Sequence, residues 1–183
     1  AEGNVGAGTG ATVGKVYRIG RAMRGGIGTA SARLGDVVVG ALVAVNAVGD
    51  VRDPDTGVLI AGARESPDGH RLIDSARALT AGAVLERFAA PENTTIGVVA
   101  TSARLGKAEA QKIAALGMLG FARALSPPHT AFDGDTLFAL SVGDRPADLT
   151  RLGLVAADAV ARAIVRGVRA ATSLAGLPAA RDL

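Results

Sequence analysis

The chain has 183 residues, which suits one domain, or two only if both are small. Hydrophobic residues make up 49% of it and no fixed repeat runs through it, so disordered, collagenous and coiled-coil readings are excluded. The net charge of +3 comes from arginines that stand singly, and aromatic residues make up only 3%. That argues against both a phosphate-tracking stripe and a base-stacking platform for nucleic acid.

Cysteine is absent, which removes disulfides, thiolate metal sites and cysteine nucleophiles. No apolar run is long enough for a membrane helix. The first residues have neither the basic start nor the apolar run of a signal peptide, and there is no initiator Met. The chain therefore reads as part of something longer or as a processed product, with a cytoplasmic location expected.

In chain order, residues 3–14 form a Gly-rich loop and 15–20 a short strand. Residues 27–34 alternate apolar and polar side chains, as a half-buried strand does. Residues 36–46 are an apolar, β-branched run that predicts a buried strand ending at Asn46. Asp53-Pro-Asp-Thr-Gly57 is turn chemistry, after which 58–61 pairs back as a hairpin strand. A loop over 62–70, a helix over 71–88 and a linker over 89–93 follow. Residues 94–101 are the clearest strand. A helix over 106–125 buries Ile113, Leu116, Gly120, Phe121 and Ala124 and stops at Ser126-Pro-Pro128. A second buried strand covers 135–142. Asp148 then caps a long helix to about 174, with Leu152, Val155, Ala159, Ile164 and Val168 inside. The result is an α/β (α+β) sandwich in which helices cover sheet.

Several motifs bear on chemistry. The Gly-rich opening fails the phosphate-loop spacing: Gly14-Lys15 has Thr9 where the first Gly belongs and Val16 where Ser/Thr belongs. It also fails as a dinucleotide fingerprint, because no strand precedes Gly6-Ala-Gly8. His70 and His129 lie in loops with no carboxylate at ligand spacing, so both read as surface residues and no metal is expected. Asp133-Gly-Asp135 places two carboxylates on one side of an extended chain. Such a pair splits its pKa values or holds a cation, although the same residues also suit a plain turn. Asn93-Thr94-Thr95 opens the clearest strand. A Thr at a new N-terminus carries its own base, an α-amine of pKa about 7.7–8, and its hydroxyl can first attack the preceding carbonyl to cut the chain. Thr-Thr is also ordinary strand chemistry.

The stretch Asn93-Thr-Thr-Ile-Gly-Val-Val-Ala-Thr101, the helix after Gly106 and Ser126-Pro-Pro-His-Thr-Ala-Phe-Asp-Gly-Asp-Thr136 together resemble the L-aminopeptidase/D-esterase (DmpA-type) family. Gly3-Asn-Val-Gly-Ala-Gly-Thr-Gly10 and Val37 to Asn46 resemble its earlier motifs. The resemblance covers nearly all of the chain, but only the C-terminal part of a family member. It implies a four-layer αββα sandwich, similar to N-terminal-nucleophile hydrolases and to ornithine acetyltransferase. It also implies self-cleavage after Asn93, so that 1–93 would end one chain and 94–183 would form the next, within one catalytic domain portion. Thr94 matches the nucleophile, Lys15 the catalytic lysine, Asn46 the oxyanion-stabilising amide, and Asp133 and Asp135 the acidic pair. A Thr nucleophile with an Asp/Asp pair, rather than Ser with Ser/Glu, places the chain nearer the nylon-oligomer hydrolase branch. The expectation is an amide or ester hydrolase that needs no cofactor. Its partners would be the missing N-terminal half and further copies in a homo-oligomer. An acyltransferase of the ornithine acetyltransferase type and an inert structural relative are the alternatives.

Overall fold

In a computed structural model, residues 1–83 and 93–183 are described. The Gly-rich opening makes one 3-10 turn at Gly6–Gly8 before β1 (Thr12–Val13), which pairs antiparallel with β2 (Met23–Arg24). The strand expected over 15–20 does not form. Gly14 turns the chain at φ 74°, and the amides of Gly14 and Lys15 donate to the carbonyls of Gly49 and Val48 at 2.9 and 2.8 Å. The rest of that stretch is a turn and a 3-10 helix at Ile19–Arg21.

The alternating segment forms β3 (Gly26–Leu34), which pairs antiparallel along its whole length with β4 (Val37–Val45). Next come β5 (Asp50–Arg52) and β6 (Leu59–Ala61), joined through the predicted turn in which the Gly57 amide donates to the Asp53 carbonyl. The helix expected over 71–88 is shorter: α1 is Ser75–Thr80, capped by Asp74, whose side chain accepts from the Arg77 amide. Leu72 instead bridges Arg64, and the parts of that helix and linker over 84–92 lie outside the described residues.

Strand β7 (Ile96–Ala103) leads to α2 (Lys107–Gly117) and α3 (Leu119–Ala124). The single helix expected there is thus interrupted at Met118, where Gly117 and Gly120 flank the joint and weaken helix propagation. Then follow β8 (Leu125–Ser126), β9 (Thr136–Arg145) and α4 (Leu149–Ala170). Helix α4 stops four residues short of expectation, because Arg181 Nη2 reaches the carbonyls of Arg169 and Ala170 at 3.0 and 2.8 Å and satisfies the end.

The main sheet runs β3-β4-β7-β9, antiparallel except for the parallel β7–β9 pair, and a small sheet runs β6-β5-β8. One face of the main sheet carries α4, α2 and the core of Val39, Val43, Val99, Ile113, Phe121 and Ile164. Strand and helix backbones approach closely at Gly28: a Cβ there would lie 2.1 Å from the Ala163 carbonyl oxygen and 2.3 Å from the Gly167 nitrogen. Neither backbone atom can swing aside. Gly28→Ala is therefore expected to cost about 3 kcal/mol, read as a lowered urea midpoint.

The other face is open. Leu42, Ile96, Phe138, Leu140 and Val142 all point to it, and Phe138 and Val142 are 56% and 72% exposed. This corrects the expectation of a buried strand over 135–142, since successive residues face opposite sides and helices cover only one of them. The described residues thus supply one helical layer and one sheet layer of the expected four.

Asp50 ties the small sheet to α1. Its carboxylate accepts from the Ala63 amide at 2.9 Å and from the Ser75 amide and hydroxyl at 2.6 Å each, with no solvent contact. Burial pushes its pKa up to about 6, against the three donors that favour the charge. A group whose pKa rises on folding adds stability below its unfolded pKa and loses it as pH climbs through the folded one. Between about pH 4 and pH 6 this group alone should remove about 3 kcal/mol. Urea titrations of Asp50→Asn across that range should show a flatter pH dependence than the parent chain, and equal slopes would contradict the assignment.

Candidate active site

Six sequence-predicted residues meet where the ends of β4, β7 and β9 come together. Asn46 follows the last residue of β4. Its Oδ1 accepts from Lys15 Nζ at 2.7 Å and from the Thr12 amide at 3.1 Å. These donors fix the amide orientation and assign the donor Nδ2 to the opposite branch. Lys15 is only 7% exposed. Its backbone is held by the Val48 carbonyl, and the Val48 amide in turn donates to Asp133 Oδ1 at 3.0 Å. A short relay of backbone thus connects the lysine loop to the acidic pair.

Asp133 is a staple. Its other oxygen accepts from the Thr130 amide at 3.1 Å and from the Thr130 hydroxyl. Asp135 is buried. Its Oδ1 accepts from the Thr95 amide at 2.8 Å and its Oδ2 from the His129 amide at 3.1 Å. Burial, with Asp133 alongside, raises the Asp135 pKa above the usual carboxylate range.

Asn93 and Thr94 lie where the parallel β7–β9 ladder is broken. Asn93 bridges Asp133, and regular pairing resumes at Ile96 and Thr136. Between those rungs the Thr95 amide turns to the Asp135 carboxylate. The carbonyl of Asn93 accepts from the Gly134 amide at 2.8 Å. Thr94 Oγ1 packs against Gly134, 2.8 Å from where a Cβ would stand. Asn93 is buried and Thr94 half-buried.

The arrangement has what acyl transfer needs. A hydroxyl sits beside a held carbonyl, a buried cation is bonded to a side-chain amide, and two carboxylates stand by to orient an amine.

His129 is an exposed loop residue, as expected, but its contacts were not legible in the sequence. Its ring stacks on buried Phe121 with centroids 5.9 Å apart, and its Nδ1 lies 3.4 Å from Asp135 Oδ2. Its φ of 49° is left-handed, an uncommon conformation for a residue with a side chain. Asp135 lies six positions further on, and the chain turns between them to bring the two together. His70 remains in an exposed loop, as expected. No helix among the described residues is long and apolar enough to cross a membrane.

Comparison with known proteins places this geometry in a family. The model of peptidase family S58 matches residues 1–181, and the chain belongs to that family. A protein of Mycobacterium tuberculosis (strain ATCC 25618 / H37Rv), described as an uncharacterized aminopeptidase, is 40% identical over 205 residues, covering 100% of this chain and 57% of that protein. The 6-aminohexanoate-oligomer endohydrolase of Kocuria sp. (strain KY2) is 34% identical over 146 residues, covering 78% of this chain and 40% of its own length. Among solved structures, the L-aminopeptidase D-Ala-esterase/amidase of Ochrobactrum anthropi superposes with a TM-score of 0.64 at 22% identity, over 97% of this chain and 47% of that one. Its structure is described as a variant of the N-terminal-nucleophile (Ntn) hydrolase fold, and that is the fold class of this chain. The chain spans about half the length of the relatives it matches.

Proposed function

We propose that the chain is the catalytic part of a self-cleaving N-terminal-nucleophile hydrolase of amide or ester bonds, aminopeptidase-like, with Thr94 as nucleophile. The observation that carries this reading is the acidic pair set against the Asn93–Thr94–Thr95 backbone, with Asp133 joined through Val48 to the loop of Lys15, which bonds Asn46 at the end of β4. Cleavage there frees the Thr94 amine, which then serves as the base for its own hydroxyl. Asn46 supplies a donor for the oxyanion of a substrate carbonyl. Lys15, as a neighbouring cation, lowers the pKa of the new amine and keeps it neutral. Asp133 and Asp135 orient that amine or hold a substrate ammonium. The relatives named above carry aminopeptidase and oligoamide-hydrolase names, which supports hydrolysis over acyl transfer.

The open apolar face of the sheet is assigned to the part of the protein outside this chain, which would lay its own sheet on β3-β4-β7-β9 and complete four layers. Intact mass and N-terminal sequencing of the full protein, with its natural flanking residues, test the central claim. Two species are expected, one of them beginning at Thr94. A single unbroken species that still turns over amides would overturn it.

A further inference from the structure

We infer that the backbone N–H of Gly134 is the oxyanion donor for the self-cleavage step, separate from the Asn46 side chain that serves later substrates. The inference rests on the self-cleavage reading and names the group that makes the Asn93–Thr94 bond reactive.

Three observations carry it. The Gly134 amide donates to the Asn93 carbonyl at 2.8 Å, so the carbonyl that must be attacked is already polarised. The donor belongs to backbone pinned on both sides, by Asp133 through Val48 and Thr130 and by Asp135 through Thr95 and His129. It therefore needs no reorganisation when charge develops. Glycine is also required at that point, since a Cβ would come 2.8 Å from Thr94 Oγ1 and push the nucleophile away. The acidic pair thus acts here as a rigid frame that presents the amide lying between its two members.

The chemistry balances. Thr94 Oγ forms a bond to the Asn93 carbonyl carbon, and the carbonyl π pair moves onto oxygen, where the Gly134 N–H receives it. Collapse restores C=O and breaks the C–N bond, and the hydroxyl proton ends on the Thr94 nitrogen. Water then hydrolyses the ester, leaving an Asn93 carboxylate, a free Thr94 hydroxyl and the new amine. The same hydrogen bond read as a mere sheet rung predicts a different outcome: its loss would cost stability and leave the chemistry unchanged.

The test replaces Gly134 by glycolic acid through semisynthesis of the full protein, removing the N–H while keeping the shape. The matched control replaces Thr136 by its α-hydroxy analogue, which deletes the next rung, from the Thr136 amide to the Thr95 carbonyl at 3.0 Å. With folding checked by circular dichroism, the Gly134 ester should split about 10²–10³-fold more slowly than the parent chain. The Thr136 ester should split at the parent rate. Equal slowing of both esters, or no slowing of the Gly134 ester, overturns the inference while leaving self-cleavage intact. A parent chain that never splits overturns the reading beneath it. If the Gly134 ester does not fold, infrared spectra of uncut Thr94→Ala protein carrying a ¹³C carbonyl at Asn93 decide. A band downshifted no further than that of a ¹³C carbonyl at Thr95, which accepts the next rung, overturns the inference, and a larger downshift supports it.

Discussion

Thr94→Ala is expected to leave the polypeptide in one piece, while Thr94→Ser still divides. The difference is chemical. Of the two, only serine keeps an oxygen on Cβ able to form a ring with the Asn93 carbonyl carbon. Alanine loses that nucleophile while keeping the fold, because Thr94 is only half-buried and its loss opens little core. Serine lacks the γ-methyl that restricts the χ1 of threonine, so its hydroxyl spends less time facing the carbonyl and division should slow, not stop. Mass spectrometry after a fixed incubation reads both outcomes. An alanine variant that still splits between Asn93 and Thr94 would show that another group performs the attack. An unsplit alanine variant should also fail to hydrolyse amides, since neither hydroxyl nor free amine exists at that position.

Much of the frame was legible because it is written locally. Alternation over 27–34 and the β-branched run after Asp36 predict β3 and β4 within a residue or two of their observed bounds. Asp148 marks the start of α4, and its side chain accepts from the Arg151 amide at 2.8 Å. The limits of local reading are equally specific. Apolar residues of β9 look like core in sequence, yet Phe138, Leu140 and Val142 face outward, because nothing within the strand says which of its faces a helix will cover. The helix over 106–125 reads as continuous because its apolar stripe is continuous, but with two glycines beside it the regular helix lapses at Met118.

At the site, the chemically conspicuous residues were readable while the backbone that positions them was not. The Val48 amide that holds Asp133 lies 85 residues away in sequence and carries no side-chain signal at all. Gly134 looks like turn chemistry between two acids, and its role depends on which carbonyl its amide meets. His129 is the loop residue it looks like, but its two partners went unread because the Phe121 ring comes from a helix and Asp135 from just before a strand.

Lys15→Met should abolish most activity while leaving the fold in place, and the pH dependence separates its two roles. Methionine keeps the unbranched stem that Lys15 buries, so packing changes little. What disappears is the cation 2.7 Å from Asn46 Oδ1. Asn46 then keeps the Thr12 amide at 3.1 Å as a donor but loses its charged partner, and its amide can rotate. A displaced oxyanion donor typically costs about 10²–10³ in rate. The second role is electrostatic. On the proposed mechanism Lys15 stands near the new ammonium and favours loss of a proton, so its removal would let the Thr94 amine climb back toward about 7.7–8 or above. With the neutral amine as the proposed active form, the rising limb of the rate profile should move to higher pH in Lys15→Met. Asn46→Ala should show the rate loss without that displacement, since it removes the oxyanion donor and keeps the cation. Steady-state rates from pH 5 to pH 9 on cleaved parent and variant enzymes make the comparison. If Lys15→Met keeps the parent profile and loses less than about tenfold in rate, the lysine only fills space, and the neutral amine must be maintained by Asp133, Asp135 and burial alone.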